Sequence, residues 1–329
     1  MKGSTKLRLL VTGGAGFIGS NFVRMISRGE LVGVSHVTVL DKLTYAGLRE
    51  NLPQASSGSG LSFHHGDICD AQLVASLLTD VDAVINFAAE SHVDRSISVA
   101  ADLIQANIVG VQVLLDAIKA SGRDIRFLQI STDEVYGSIE TGSWTEDWPL
   151  QPNSPYSASK AGGELLAGSY FKTHELDVVI TRCSNNYGTH HFPEKLIPLF
   201  ITNLLEGKKV PVYGTGKNVR DWLHVDDHCR GIFKVLVNGK AGQVYNIGGG
   251  QELTNIDITN LLLEAMGADE SSIEFVEDRK GHDLRYSVDW KKIKSELGYE
   301  PQVIFEDGLK DTIQWYRDNQ AWWKPLKSR

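Results

Sequence analysis

Cysteine is scarce. The 329 residues hold three, Cys69, Cys183 and Cys229, far apart and odd in number. That excludes a disulfide framework, and no Cys/His cluster has the spacing of a zinc site. Long apolar runs are missing: none approaches the ~20 residues of a membrane span. Basic charge is in deficit, with Lys+Arg 33 against Asp+Glu 41 and a net charge of -8. This speaks against a general nucleic-acid binder, while a local basic pocket can still hold a phosphate. The lead, Met1 to Lys6, is short and polar, without a signal-peptide core. Internal repeats and low-complexity tracts are missing as well. The expectation is a cytoplasmic, metal-free enzyme.

Hydrophobic residues at 42% and charged residues at 22% are the balance of a globular protein. The length suits one large α/β domain or a domain plus a lobe. Short apolar runs at Leu7–Thr12, His36–Asp41, Leu61–His64, Asp82–Phe87, Ile125–Ile130 and Val178–Thr181 read as strands. Helical patterns at Phe17–Arg28, Ala71–Leu78, Ile97–Ala120 and Ser157–His174 alternate with them. Such alternation means right-handed crossovers and a doubly wound parallel sheet of Rossmann type. After about Asn186 the rhythm loosens. Helices are expected at Glu194–Glu206, Asp226–Asn238, Asn255–Met266 and Phe305–Arg317, with a strand at Gln243–Ile247. Residues 1–186 are therefore expected to form a dinucleotide-binding domain with the catalytic residues. Residues 187–329 are expected to form a smaller α/β substrate lobe, with the chain free to cross between the two. Gln54–Gly60, rich in Ser and Gly, reads as an exposed loop.

Gly13, Gly16 and Gly19 form a G-x-x-G-x-x-G pattern between the first strand and the first helix. Gly13 permits the tight turn, Gly16 lets backbone approach a pyrophosphate, and Gly19 lets helix and strand pack closely. A glycine pattern alone is weak, but this one stands at the first β–α turn of an alternating chain. Asp41 ends the second strand, where an acid binds ribose hydroxyls and repels a 2′-phosphate. NAD is favoured over NADP. Asp67-Ile68 closes the third strand. Asp67 either borders the adenine or caps the next helix. Phe87-Ala88-Ala89-Glu90-Ser91 closes the fourth strand. Small Ala88 and Ala89 let backbone approach the cofactor, with Ser91 turned toward the substrate.

Tyr156 and Lys160 are a Y-x-x-x-K pair that shares one helix face. A Tyr hydroxyl with pKa ~10 is a poor base. A nearby ammonium and the positive nicotinamide ring favour phenolate, which takes a proton from an alcohol whose carbon gives hydride to NAD. The plain alternative is a surface pair. Thr132, Asp133 and Glu134 follow the fifth strand, where open α/β sheets bind ligands. Thr132 is a hydroxyl donor. The two carboxylates suggest proton transfers at carbons other than the oxidised one, or else solvated loop charges.

These stretches resemble the extended short-chain dehydrogenase/reductase superfamily and, within it, the dTDP-glucose 4,6-dehydratases. The resemblance is carried by TGGAGFIGSNF (12–22), LDKLTYAG (40–47), FAAESHVDRSI (87–97), STDEVYGS (131–138), SPYSASKAG (154–162), CSNNYG (183–188), HFPEKLIPLF (191–200) and DRKGHDLRY (278–286). STDEVYG discriminates, because epimerase relatives generally carry small residues where Asp133 and Glu134 stand. Departures are Thr189-His190 for Pro-Tyr, Ala106 for Thr and Leu48 for Asn.

The resemblance implies a redox-neutral elimination on dTDP-glucose. Tyr156, aided by Thr132 and Lys160, removes the C4 hydroxyl proton as hydride passes to NAD. Glu134 removes the acidified C5 proton, protonated Asp133 gives a proton to the departing C6 hydroxyl, and hydride returns to C6. It also implies Phe17, Ile18, Lys42, Leu43 and Thr44 as cofactor contacts. Asn185 and Asn186 end the sixth strand, so one can face the sugar diphosphate and the other, Asn186, the nicotinamide. Lys195, Leu196, Pro211, Val212, Tyr213, Asn255, Arg279 and His282 match positions lining the nucleotide pocket. Arg220 is a candidate diphosphate clamp, since Arg binds phosphate bidentately. The alternatives are an ion pair of Arg220 with Asp221 or another acid of the lobe, a surface or capping role for His282, and Tyr213 as plain core. Competing readings of the whole are an NAD-dependent nucleotide-sugar 4-epimerase and a noncatalytic NAD-binding regulator. The base preference and the downstream pathway are not written in the residues.

The helical stretches Ile97–Ala120 and Ser157–His174 are more apolar than one buried face requires. Leu165, Leu166, Tyr170 and Phe171 stand among small residues on the second. The resemblance implies a homodimer in which the two helices form a four-helix bundle across a two-fold axis. The alternative is that both are buried within a monomer.

Overall fold

Leu9, Leu10 and Val11 have no exposed surface, which places β1 (Leu7–Thr12) at the centre of a sheet. The computed structural model describes residues 6–54, 60–91 and 100–328. The strands continue with β2 (Val34–Asp41), β3 (Leu61–His65), β4 (Ala83–Asn86), β5 (Arg126–Thr132), β6 (Val178–Cys183), β7 (Asn185–Tyr187), β8 (Val210–Tyr213), β9 (Val219–His224), β10 (Val244–Ile247), β11 (Glu252–Thr254) and β12 (Ile273–Val276). The main sheet has seven strands in the order β10-β6-β5-β4-β1-β2-β3. Every pair in it is parallel. The order reverses between β1 and β4, so the strand ends there diverge into a ligand crevice.

Helices cover both faces. They are α1 (Phe17–Ser27), α2 (Ala71–Leu77), α3 (Ala101–Ser121), α4 (Pro155–His174), α5 (Leu196–Leu205), α6 (Val225–Asn238), α7 (Asn255–Met266), α8 (Lys291–Leu297) and α9 (Phe305–Asp318). Strand alternation divides the core. Leu9 and Val11 face a cluster with Phe22 and Val23 of α1 and Ile232 and Val235 of α6. Leu10 faces the opposite cluster, with Val74 of α2, Leu114 and Ile118 of α3 and Ala167 of α4. A further cluster in the second half of the chain holds Ile201, Ile258, Leu262, Leu309 and Ile313, while Leu223, Ile247 and Tyr299 of that half join the first cluster.

Several elements differ from the sequence reading. α4 starts at Pro155, because Ser154 and Ser157 form a reciprocal cap, so Tyr156 lies in its first turn. The strands β7, β8, β9, β11 and β12 and the helix α8 were not expected, being short and paired with distant segments. β10, from the second half of the chain, completes the main sheet beside β6. The expected helix start at residues 97–99 and the expected loop at residues 55–59 lie outside the described residues, as do residues 1–5 of the polar lead. Contrary to the reading of apolar runs, α3 is long and apolar enough by length and composition to cross a membrane. Here its apolar side packs on the sheet through Val111, Leu114, Leu115 and Ile118, which are buried.

Candidate active site

A cleft of about 1010 Å³ opens at the C-terminal ends of β1, β2, β4, β5 and β6 and continues under the second lobe. Its first part is made of backbone. Gly13 has φ 65, and a Cβ there would stand 2.4 Å from the Ala88 nitrogen. A Cβ on Gly19 would stand 2.5 Å from the Gly13 carbonyl oxygen. Only glycine fits either position. No side chain caps the first turn of α1 after Gly16, so its amides are left for an anion such as a pyrophosphate. Asp41 is held by two amides: Leu43 N–H donates to Oδ1 at 2.7 Å and Ala15 N–H to Oδ2 at 2.8 Å. Burial raises its pKa, and those bonds oppose the rise. The cradle has the shape and donors that a dinucleotide needs.

Asp67 pairs with Lys42 at 2.8 Å and accepts from Cys69 N–H at 2.9 Å. Burial pushes its pKa up, but these partners outweigh it and hold it below the usual value. Asp67 is not the helix cap: Asp70 caps α2, accepting from Gln72 and Leu73 N–H.

The second part of the cleft is made of side chains. Thr132 ends β5 and caps the short 3-10 turn Asp133–Tyr136, accepting from Glu134 N–H and donating to Asp133 Oδ1, both at 3.3 Å. Asp133 is 2% exposed, and its Oδ2 is buried without a hydrogen-bond partner. Its pKa is pushed well above the usual carboxylate range by burial, then by the carboxylates of Glu134 and Asp221. Glu134 is half-buried. Burial raises its pKa too, but Arg279, Arg220 and Lys195 oppose the rise in that order. Burial thus raises both carboxyls and Arg220 opposes the rise in each, while Arg279 and Lys195 act on Glu134 as well.

Tyr156 and Lys160 line the same cleft. Lys160 is buried and donates from Nζ to the Ile130 carbonyl at 2.6 Å. Burial lowers its pKa to about 8. Tyr156 moves the other way: burial, then the charge of Glu134, raises its pKa well above 10.0. The expected phenolate is therefore not favoured by the protein's charges, because Lys160 is turned to a carbonyl and two carboxylates stand nearby. The positive ring of a nicotinamide is the contribution left to supply it.

Arg220 is buried on β9, donating to the carbonyls of Val219 at 2.7 Å and Asp283 at 2.9 Å. Its guanidinium lies 4.1 Å from the Tyr286 ring centroid. It does not pair with Asp221, whose carboxylate accepts from Ser184 Oγ and from Gly249 and Gln251 N–H. His282 bonds Asp278 at 2.6 Å and lies edge-on to Tyr213. Tyr213 is 38% exposed and so is not core. Lys195 Nζ donates to the Ser91 carbonyl at 3.1 Å. Asn186 bonds His228, and Asn185 Oδ1 is buried without a partner.

Of the catalytic, cofactor and substrate residues expected from the sequence, all but Leu43 line this cleft, including Ile68, Phe87, Ala89, Thr44, Leu196, Pro211, Val212 and Asn255. Leu43 contributes its amide to Asp41 and packs its side chain on the core. The reading missed Tyr45, Glu194, Cys183, His191 and Trp222, which also line it. Tyr45 donates to Glu194 at 2.8 Å across 149 residues of chain, a pairing with no local signal. His191 stacks on Phe17 of the glycine loop, 4.0 Å between ring centroids. Ala106 faces the cleft, whereas His190 lies tilted against Trp315 and Leu48 is buried.

A family model described as GDP-mannose 4,6 dehydratase matches residues 10–312. The chain is 58% identical to a dTDP-glucose 4,6-dehydratase of Actinoplanes sp., over 96% of this chain and 100% of that one. Among solved structures, a dTDP-glucose 4,6-dehydratase from Streptomyces venezuelae with NAD bound matches with a TM-score of 0.95 and 59% identity, covering 97% of this chain and 100% of that one. A UDP-glucose 4-epimerase from Thermotoga maritima matches with a TM-score of 0.86 and 31% identity, covering 95% of this chain and 100% of that one.

Proposed function

We propose that this chain, which belongs to the dTDP-glucose 4,6-dehydratase family, divides that family's reaction among the residues at the end of β5 and the start of α4. It is an NAD-dependent hydro-lyase of deoxysugar biosynthesis, converting dTDP-glucose to dTDP-4-keto-6-deoxyglucose and water. NAD, when bound, accepts a hydride from C4 and returns it to C6.

Tyr156 takes the C4 hydroxyl proton, with Thr132 bonding the same oxygen and Lys160 one turn along the same helix, bonded to the Ile130 carbonyl. The C4 ketone acidifies the C5 proton, and Glu134 removes it. Asp133, kept neutral by its surroundings, protonates the C6 hydroxyl, which leaves as water. Glu134 then returns a proton to C5. The glycine loop, Asp41, Asp67 and Asn186 hold the dinucleotide, and Arg220 with Lys195, Arg279 and His282 holds the nucleoside diphosphate. The observation that carries this reading is that Asp133, with one oxygen unpartnered, and Glu134 stand on one short turn in the cleft of Tyr156 and Lys160. An acid and a base of that kind are what an elimination needs and an epimerisation does not.

The test is incubation of purified protein with dTDP-glucose, UDP-glucose and GDP-mannose in parallel, with product identification. The expected product is the 4-keto-6-deoxy sugar from dTDP-glucose, with no net reduced nicotinamide. Stoichiometric release of reduced nicotinamide, or an epimer as product, would overturn the reading.

The reading extends to a cytoplasmic homodimer. Leu166, Tyr170 and Phe171 pack in part on the chain's own core and stay half-exposed. Leu165 at 63% and Ile104 at 50% exposure are the apolar residues that α4 and α3 leave uncovered. Leu165→Glu should give a monomer by light scattering. A wild-type monomer at all concentrations would refute the dimer.

A further inference from the structure

The turn carrying Asp133 and Glu134 and the helix carrying Tyr156 and Lys160 are joined by one buried guanidinium. Arg182, on β6, is buried. Its Nη2 donates to Glu164 Oε1 at 2.5 Å, and its Nε donates to the same carboxylate at 3.0 Å. Glu164 lies one helical turn beyond Lys160 on α4 and is itself buried. The other arm of the fork, Nη1, donates to the Tyr136 hydroxyl at 2.6 Å and to the Glu146 carbonyl at 3.1 Å. Tyr136 is the last residue of the 3-10 turn that begins with Asp133 and Glu134. Its hydroxyl donates onward to Asn246 Oδ1 at 2.9 Å, on β10. Asn246 is fixed in turn, donating from Nδ2 to the Trp144 carbonyl at 2.9 Å. The Tyr136 ring stacks on buried Trp144.

None of these groups lines the cleft. The planar fork spans two elements that have to act in register, one that oxidises C4 and one that eliminates across C5 and C6. A buried ion pair adds little net stability, and well-packed apolar groups usually replace it without loss. What it does well is fix geometry, because an Arg fork satisfies two partners only at set angles.

We propose that Arg182 is a positioning residue that sets the Asp133–Glu134 turn against the Tyr156–Lys160 helix, so that loosening it slows water loss more than C4 oxidation. The inference rests on the roles given to those four residues above.

Tyr136→Phe is the cleanest test. It deletes the hydroxyl that receives Nη1 but leaves the Arg182–Glu164 pair and the ring stack in place. The expected result is a kcat about 10-fold lower, within the ~10²-fold that a misplacement near 1 Å produces. KM for dTDP-glucose should be unchanged. The fraction of bound nicotinamide that is reduced during turnover should rise, because oxidation now outruns elimination, and C5–solvent exchange should slow with kcat. Arg182→Lys keeps the charge without the fork and should show the same signature more strongly. If Arg182→Lys melts early, Tyr136→Phe decides. Unchanged kcat in Tyr136→Phe, or a reduced fraction that falls together with kcat, would overturn the proposal. Glu134→Gln, run beside them, separates the two kinds of failure. Wrong acid–base roles would show as normal C5 exchange in Glu134→Gln. A wrong positioning role would show in Tyr136→Phe alone.

Discussion

Two buried aspartates stand at the ends of parallel strands in one cleft and are treated in opposite ways. Asp41, at the end of β2, receives a backbone amide on each oxygen. Burial raises its pKa, but the amides hold it back toward the carboxylate form, which suits a ribose ligand. Asp133, after β5, has one oxygen without a partner and the other on a 3.3 Å hydroxyl bond, with the carboxylates of Glu134 and Asp221 near it. Those surroundings disfavour its charged form. The strand end alone does not decide charge; the groups that meet it do. The cofactor end is built of backbone and the elimination end of side chains.

The backbone end is tested through cofactor retention. Gly13→Val places a side chain against Ala88 at a positive φ. The φ alone costs ~1–3 kcal/mol before any clash. If the strain is relieved by moving the loop out of its NAD-binding shape, binding weakens by about 5- to 160-fold. Cofactor released from the purified protein measures it, and full retention would show that the approach to Ala88 does not matter.

On the side-chain end, Glu134→Gln and Asp133→Asn should each lower kcat by about 10²- to 10⁴-fold, as for loss of one acid–base group. They should differ in kind. Glu134→Gln should allow C4 oxidation and accumulate bound reduced nicotinamide. Asp133→Asn should leave C5–solvent exchange less affected than water loss. Identical partial reactions in the two variants would collapse the distinction.

The same contrast explains what the sequence made legible. The glycine loop, β1, Asp41 and the Tyr156–Lys160 pair are local patterns, readable from spacing and strand rhythm. Adjacency placed Asp133 and Glu134 together, but the charges that bear on them, Arg220, Arg279, Lys195 and Asp221, come from later in the chain and meet them only on folding. The family resemblance supplied those roles. The pairing of Tyr45 with Glu194 and the short strands β7, β9 and β11 had no local signature, since each is fixed by a distant partner.

A smaller effect sharpens the account of Glu134. Arg279 is the cation that most opposes the rise in its pKa. Arg279→Met removes that charge, so Glu134 stays protonated to higher pH. The acid limb of the kcat–pH profile should move to higher pH, apart from any change in KM. A limb that stays in place or moves to lower pH would remove Arg279 from the argument.

The smallest effect is on stability. The folded pKa of Asp133 is raised above its unfolded value of ~3.9. Its protonated form therefore favours the fold below about pH 4, and that contribution is lost as pH rises through the folded pKa. Asp133→Asn cannot ionise. Its melting midpoint should gain on the wild type as pH rises, and a gap constant with pH would contradict the raised pKa.

The most direct measurement is infrared difference spectroscopy of the NAD-loaded protein at neutral pH, with wild type compared to Asp133→Asn and Glu134→Gln. The C=O stretch of a protonated carboxylic acid should be present in the wild type, lost in Asp133→Asn and kept in Glu134→Gln. If that band survives in Asp133→Asn, or is missing from the wild type, Asp133 is not the neutral acid of this site.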